Sequence, residues 1–249
     1  MNRILFERGE IVDGVATFGG ARAEHVLNVL HGEVGQILKT GEIGGLNGTS
    51  EIVRIGRGDD GAPQVAVRVS HAEEPLPSWI DLVLAPPRPR AMKRLLPQLA
   101  TLGVGRIVLV GAEKVEKDFW GATLLKEENW RPLFVDGLMQ AGTGVMPTLE
   151  LRRGFRRFLR DELDEMFPTA NRIVAHPYED GCGESAEVPS GRPLLAIGPE
   201  GGWTAGEVEL LEGRGFRRLS LGPRILRTDT ATVAALARLG SVFFDILWP

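Results

Sequence analysis

Two stretches in the last quarter of the chain combine bare backbone with charge: "GPEGG" at 198–202 and "LGPRILRTDTA" at 221–231. In the first, Gly198, Gly201 and Gly202 permit close backbone approach and positive φ, and Pro199 stiffens the turn. The sequence argues against a phosphate loop. It matches neither GxGxxG nor GxxxxGK[ST], it has no lysine, and it sets Glu200 where a phosphate would need a donor. A carboxylate there suits a cationic or hydroxyl-bearing ligand. In the second stretch, Arg224 and Arg227 beside a strand end make a clamp for an anion or a carbonyl. Thr228 or Thr230 can cap the helix that follows, and Asp229 near its start favours the dipole. The plainer readings stay open here: a tight strand-to-helix turn for the first stretch and surface salt bridges for the second.

Both stretches need strands to carry them. "LLAIG" (194–198) and "RLSLG" (218–222) read as apolar strands, each followed by a helix, over 204–214 and 229–246. Thr204 and Glu207 have capping-box spacing, which fixes the first helix start near 205. Upstream, "IDLVLA" (80–85), "RIVLVG" (106–111) and "NRIVAHP" (171–177) are strands of the same apolar kind, with helices expected over 91–102, 121–141 and 152–165. Such alternation predicts an α/β fold with a parallel sheet buried on both faces. Ligands bind such sheets beyond the carboxyl ends of the strands, where both stretches fall. The N-terminal part differs: "GQILKTG", "TSEIVRIG" and "PQVAVRVS" are short strands with one helix at 21–30, which suggests a small β-barrel. "HAEEPLPSW" (71–79) reads as a linker, so the expected boundary divides 1–72 from 73–249.

Bulk properties narrow the class. With 43% apolar and 25% charged residues the chain is a folded globular protein and not a disordered one. No apolar run approaches the roughly 18 residues of a membrane span, and the charged start "MNRILFERGE" is no signal peptide. The single cysteine, Cys182, excludes an internal disulfide and fits a cytoplasmic setting. A net charge of -4 argues mildly against a nucleic-acid partner, but "RPRAMKR" (88–94) and "RRGFRRFLR" (152–160) concentrate arginine locally. No metal is expected.

With a parallel-sheet half behind a small barrel, the two stretches resemble the SPOUT-class RNA methyltransferases. More narrowly they resemble the bacterial enzymes that methylate uridine N3 in 16S small-subunit ribosomal RNA. The resemblance spans nearly the whole chain, is specific over 194–239, and is architectural elsewhere. It implies a PUA-like, RNA-binding barrel over 1–72 and a SPOUT domain over 73–249 with a C-terminal trefoil knot, which ordinary connection rules would have excluded. It also implies a cytoplasmic homodimer, ribosomal RNA or the small ribosomal subunit as partner, and S-adenosylmethionine as cofactor. By matching motif, the cofactor would be held by Ile197, Gly198, Pro199, Glu200, Gly201, Gly202, Leu221, Gly222, Ile225, Leu226, Arg227, Thr230 and Ala231, with His176 and Pro177 beside them. Arg227 would stabilise the uracil anion and Arg224 would lie nearer the phosphates. Asp229 or Glu200 would be the candidate base.

Some family charges are missing. Gln98 and Thr101 stand where the family has lysine and glutamate, Met139 and Thr143 replace charged residues around Gln140, and His25 is followed by Asn28 and His31 in place of arginines. Either the RNA target differs or a salt-bridge set has been replaced as a unit. A catalytically silent RNA-binding or ribosome-assembly protein, and an enzyme that uses 198–202 for nucleotide phosphate, remain as alternatives. The apolar tail "VFFDILWP" (242–249) suits either a dimer contact or packing within one chain.

Overall fold

The structure is a computed structural model that describes residues 2–168, 171–177 and 192–247, with side chains described as far as Phe243. Cys182 and the side chains of Phe244, Ile246, Leu247 and Trp248 lie outside the described residues. The chain forms two compact units, one from residues 1–77 and 135–146, the other from 78–134 and 147–249.

The first unit holds β1 (Ile4–Phe6), β2 (Ile11–Val12), β3 (Val15–Phe18), α1 (Gly20–Asn28), β4 (Ile37–Glu42), β5 (Asn47–Arg57) and β6 (Pro63–Glu73). They build a six-stranded sheet in the order β1-β4-β5-β6-β3-β2, antiparallel except for the β1–β4 pair. Register shifts between β5 and β6 at Asn47/Gly48 and Ile52/Arg54 curl this sheet. Alternate residues of its strands then meet α1 in one core, with Phe6, Phe18, Val26, Ile52 and Val67 all buried. Among the described residues no ladder joins β1 to β2, so the curl is not shown to close. Residues 135–146 dock by backbone bonds: Asn2 and Arg3 N–H groups donate to the Met139 carbonyl (3.0 and 3.1 Å), and Gly44 N–H donates to that of Gly144 (2.9 Å). A Cβ on Gly144 would sit 2.2 Å from the Glu42 carbonyl oxygen, which demands glycine there.

The second unit holds β7 (Ile80–Leu84), α2 (Pro89–Thr101), β8 (Val104–Val110), two 3-10 turns (Lys117–Gly121 and Thr123–Leu125), α3 (Glu127–Ala141, whose end belongs to the first unit), β9 (Thr148–Arg152), α4 (Phe155–Asp161), α5 (Leu163–Met166), β10 (Asn171–Ala175), β11 (Pro193–Ile197), α6 (Ala205–Glu212), β12 (Arg217–Leu219) and α7 (Thr228–Leu247). Six strands lie in the order β12-β10-β11-β7-β8-β9, and every neighbouring pair is parallel. All five residues of β11 are buried, as a central strand covered on both faces requires. The helix expected over 152–165 is present as two short helices, α4 and α5, broken at Glu162, and the edge strand β9 before it was not expected. The expected helix over 121–141 begins only at Glu127, after the 3-10 turns. In α2 the helix runs through Pro97, and the Thr101 hydroxyl donates to the Pro97 carbonyl (2.9 Å). Gln98 is exposed. The Thr143 hydroxyl oxygen accepts from Val145 N–H at 3.3 Å.

Candidate active site

Because β10, β11 and β12 are parallel and in register at Ala175, Ile197 and Leu219, they release their following loops on the same edge of the sheet. Those loops surround one cavity of about 440 Å³, inside the range of small-molecule sites. His176 and Pro177 follow β10, residues 198–203 follow β11, and Leu221, Gly222, Arg224, Ile225 and Leu226 follow β12, with Thr228 and Ala231 from the start of α7. The two glycine-bearing stretches therefore line the same hollow. They are also bonded to each other: the Thr228 hydroxyl, on a buried residue, donates to the Gly198 carbonyl at 3.3 Å.

The glycines have separate reasons. A Cβ on Gly198 would lie 3.0 Å from Trp203 N and 3.1 Å from its indole Cδ1, so glycine lets Trp203 pack beneath the loop. Gly202 closes a turn onto the Pro199 carbonyl (2.8 Å) with φ of +69°. Gly222 has φ of +99°, a conformation that favours glycine. The loop ends in a complete capping box, Thr204 with Glu207, at the head of α6. His176 extends the sheet by donating its N–H to the Leu219 carbonyl (3.2 Å).

The residues singled out from the sequence divide into two groups. His176, Ile197, Gly198, Pro199, Glu200, Gly201, Gly202, Leu221, Gly222, Arg224, Ile225, Leu226 and Ala231 line the cavity. Arg227, Asp229 and Thr230 do not. Arg227 is exposed at the head of α7, where its carbonyl accepts the Ala231 N–H (2.7 Å). Asp229 accepts from Arg94 at 3.1 Å, which ties α7 to α2, and also accepts the Thr230 N–H at 3.0 Å. Glu200 lies on the rim, 3.4 Å from the Arg88 guanidinium. The carboxylates of Glu116 and Glu200 push the Arg88 pKa up, Glu116 foremost by hydrogen bonding. Ile225 is 97% exposed although it borders the cavity, so this wall stands open to solvent.

Sequence reasoning missed Ala175, Trp203 and Leu219 as lining residues and assigned Thr228 only a capping role. Trp203 is the informative omission. It is buried and stacked on Phe155 (centroids 5.1 Å apart), yet its indole N–H has no hydrogen-bond partner. A buried donor left unpaired is costly. A tryptophan directly after a bare loop was the only signal available.

The hollow is walled by aliphatic side chains (Ile197, Leu219, Leu221, Leu226), rimmed by backbone, and edged by both a carboxylate and an arginine. It suits a ligand with a flat apolar body and a positive centre better than a polyphosphate. Among the described residues no group of three or more His, Cys, Asp or Glu could hold a metal ion, and no helix is long and apolar enough to cross a membrane.

Residues 74–240 match the family model of the RNA methyltransferase domain. The ribosomal RNA small subunit methyltransferase E of Treponema pallidum is 30% identical over 241 residues, which cover 95% of this chain and 90% of that protein. Among solved structures, a methyltransferase from Legionella pneumophila in complex with the bound cofactor SAM is 28% identical, with a TM-score of 0.72 over 96% of this chain and 97% of its own. The ribosomal RNA small subunit methyltransferase E of Neisseria gonorrhoeae, bound to S-adenosyl methionine, has the same TM-score of 0.72 over 97% and 98% of the two chains. At 23% identity that likeness bears on the fold alone.

Proposed function

Because this chain belongs to the RNA methyltransferase domain family, we propose that it is an S-adenosylmethionine-dependent enzyme that methylates ribosomal RNA of the small subunit, at N3 of a uridine. The observation that carries the reading is the single cavity lined by both glycine-bearing loops and bridged by Thr228. Its residues fit the cofactor. The glycine-bearing backbone over 198–202 lets an adenine come close to amide edges, and aliphatic side chains supply the walls. When bound, S-adenosylmethionine supplies an activated methyl group on a positively charged sulfur.

The chain's own contribution is to position and to steady charge. Uracil N3 sits on the pairing edge, so the target base must be unpaired or extruded. It must also lose its N3 proton, and the resulting charge spreads onto the neighbouring carbonyls. Arg227 stabilises that charge, while Arg224, exposed at the cavity, meets the phosphates. Both candidate bases face an arginine, Asp229 facing Arg94 at 3.1 Å and Glu200 facing Arg88 at 3.4 Å, but only Glu200 lines the cavity, so it is the better placed of the two. Good orientation of the reactants is worth about 7–11 kcal/mol, so positioning is the main task of the loops.

The same reading extends to the architecture. The first 72 residues act as a PUA-like RNA-binding barrel. Residues 73–249 form a SPOUT domain whose C-terminal segment is drawn through a loop as a trefoil knot, and the enzyme works as a cytoplasmic homodimer. A tritiated-methyl transfer assay on naked 16S RNA and on assembled small subunits, with nucleoside mass mapping of the product, tests the function. Methylated uridine at N3 is the expected product. Cofactor binding with no transfer to either substrate would leave only a silent RNA-binding protein.

A further inference from the structure

The glycine loop is held from a second side. There Pro199, Glu200 and Gly201 border another hollow of about 280 Å³, together with Arg88, Lys114 and Glu116. The segment after β8 reaches the loop through adjacent residues. Glu113 N–H donates to Glu207 Oε1 at 2.8 Å, and Lys114 Nζ donates to the Gly201 carbonyl at 2.8 Å. Glu207 is only 5% exposed, and its other oxygen accepts the Thr204 N–H (2.9 Å) and hydroxyl (3.2 Å). Both carboxylate oxygens therefore accept from backbone N–H groups. Such a buried group is tolerated only because it is fully paired. The Lys114 stem takes the space a side chain at residue 201 would need: a Cβ on Gly201 would lie 2.9 Å from Lys114 Cδ. The exposed Arg88–Glu200 pair, at 3.4 Å, adds little by comparison.

We infer that Lys114 and Glu207 are positioning residues for the cofactor. They splice the segment after β8 onto residues 201–207 and so fix the cavity wall that Gly201 and Gly202 form, without lining the cavity themselves. This rests on the proposed binding of S-adenosylmethionine. It also gives Gly201 a reason distinct from that of Gly198: room for the lysine stem and not for Trp203.

The test is titration calorimetry with S-adenosylhomocysteine on the full-length chain, with methyl-transfer kinetics alongside. Lys114→Ala should weaken binding by about fivefold, the order expected for one charge-assisted hydrogen bond at a partly exposed site, and should raise the KM for cofactor while sparing kcat. Lys114→Arg should restore most of the affinity. Glu207→Gln should weaken binding comparably, because its amide turns an N–H toward an N–H donor. Gly201→Ala should weaken binding in the parent chain but add no further loss to Lys114→Ala, since the stem it would strike is gone. A parent chain that binds with Lys114→Ala within twofold of it, or a strictly additive Lys114/Gly201 cycle, overturns the inference alone. A parent chain that binds no S-adenosylhomocysteine overturns the proposed function and this inference with it. Lys114 is exposed, so its variants keep the test decisive if Glu207→Gln does not fold.

Discussion

At the scale of single residues, the site rests on few polar contacts, and each has a separate task. Thr228 bonds one glycine-bearing loop to the other by its side chain, through the Gly198 carbonyl, and it is 4% exposed. Thr228→Val keeps the shape and removes the donor. A net hydrogen bond of this kind contributes about 0.5–1.5 kcal/mol, so S-adenosylhomocysteine binding by calorimetry should fall roughly threefold to tenfold. Arg227 predicts the opposite signature. It is exposed and outside the cavity lining, so Arg227→Ala should leave that affinity within a few-fold while tritiated-methyl transfer falls to background. Near-normal turnover would remove Arg227 from the chemistry and leave Arg224 as the only arginine of the loop at the cavity. Most of the lining was legible in the sequence because the glycines, prolines and charges occur as two contiguous motifs. Trp203 was not, because what makes it part of the site is stacking on Phe155, and that partner lies far away in sequence.

At the scale of elements, strands buried on both faces announced themselves, as did the short edge strand β12, while β9 at the opposite edge did not. β7, β8 and β11 are runs of apolar residues that no helix period explains, and they fall within a residue or two of where the pattern predicts them. β9 (TLELR) alternates charge with leucine and lies at the sheet edge, so neither a buried-strand nor a helical pattern stands out in it. The arginine-rich segment after it reads as one helix from its composition, but it breaks at Glu162 into α4 and α5. The start of α6 was legible for a chemical reason: Thr204 and Glu207 satisfy two orphan N–H groups reciprocally. Because the same box ends the glycine loop, its loss should act on both fold and site. Thr204→Ala is expected to cost about 1 kcal/mol of stability, read by urea denaturation. Cofactor binding should weaken at a temperature where the variant is still fully folded. Stability lost with unchanged affinity would mean that the cap serves the helix alone.

At the scale of the whole molecule, the first unit shows how much a linear reading omits. Its sheet comes from the first 77 residues, but the unit also takes in 135–146, which enter after β7, β8 and the first half of α3 have been laid down in the other unit. Backbone bonds from Asn2 and Arg3 to Met139 make that return, and backbone partners leave no mark in side-chain patterning. The first unit also carries an acid-sensitive tie. Arg22 bonds both carboxylate oxygens of Glu10 (2.9 and 2.6 Å), and each side chain of the pair is only about a quarter exposed. The hydrogen bond from Arg22 holds the Glu10 carboxyl below the usual glutamate range. A carboxyl depressed in the folded state stabilises above its unfolded pKa, and that stability is lost as pH falls through the folded value. In the second unit Asp164 is likewise lowered, first by its hydrogen bond from Arg172, but its side chain is 59% exposed and its share is screened. Glu10→Gln should therefore destabilise the chain at pH 7 by about 0.5–1 kcal/mol, discounted for partial exposure. The parent and the variant should converge as the pH is lowered from 5 toward 3, below the ordinary glutamate pKa of about 4.3. Urea denaturation of both proteins across that range decides it. A gap between them that persists undiminished at the acid end would show that Arg22 is held through the Leu5 carbonyl it also bonds (2.9 Å) and not through the charge on Glu10.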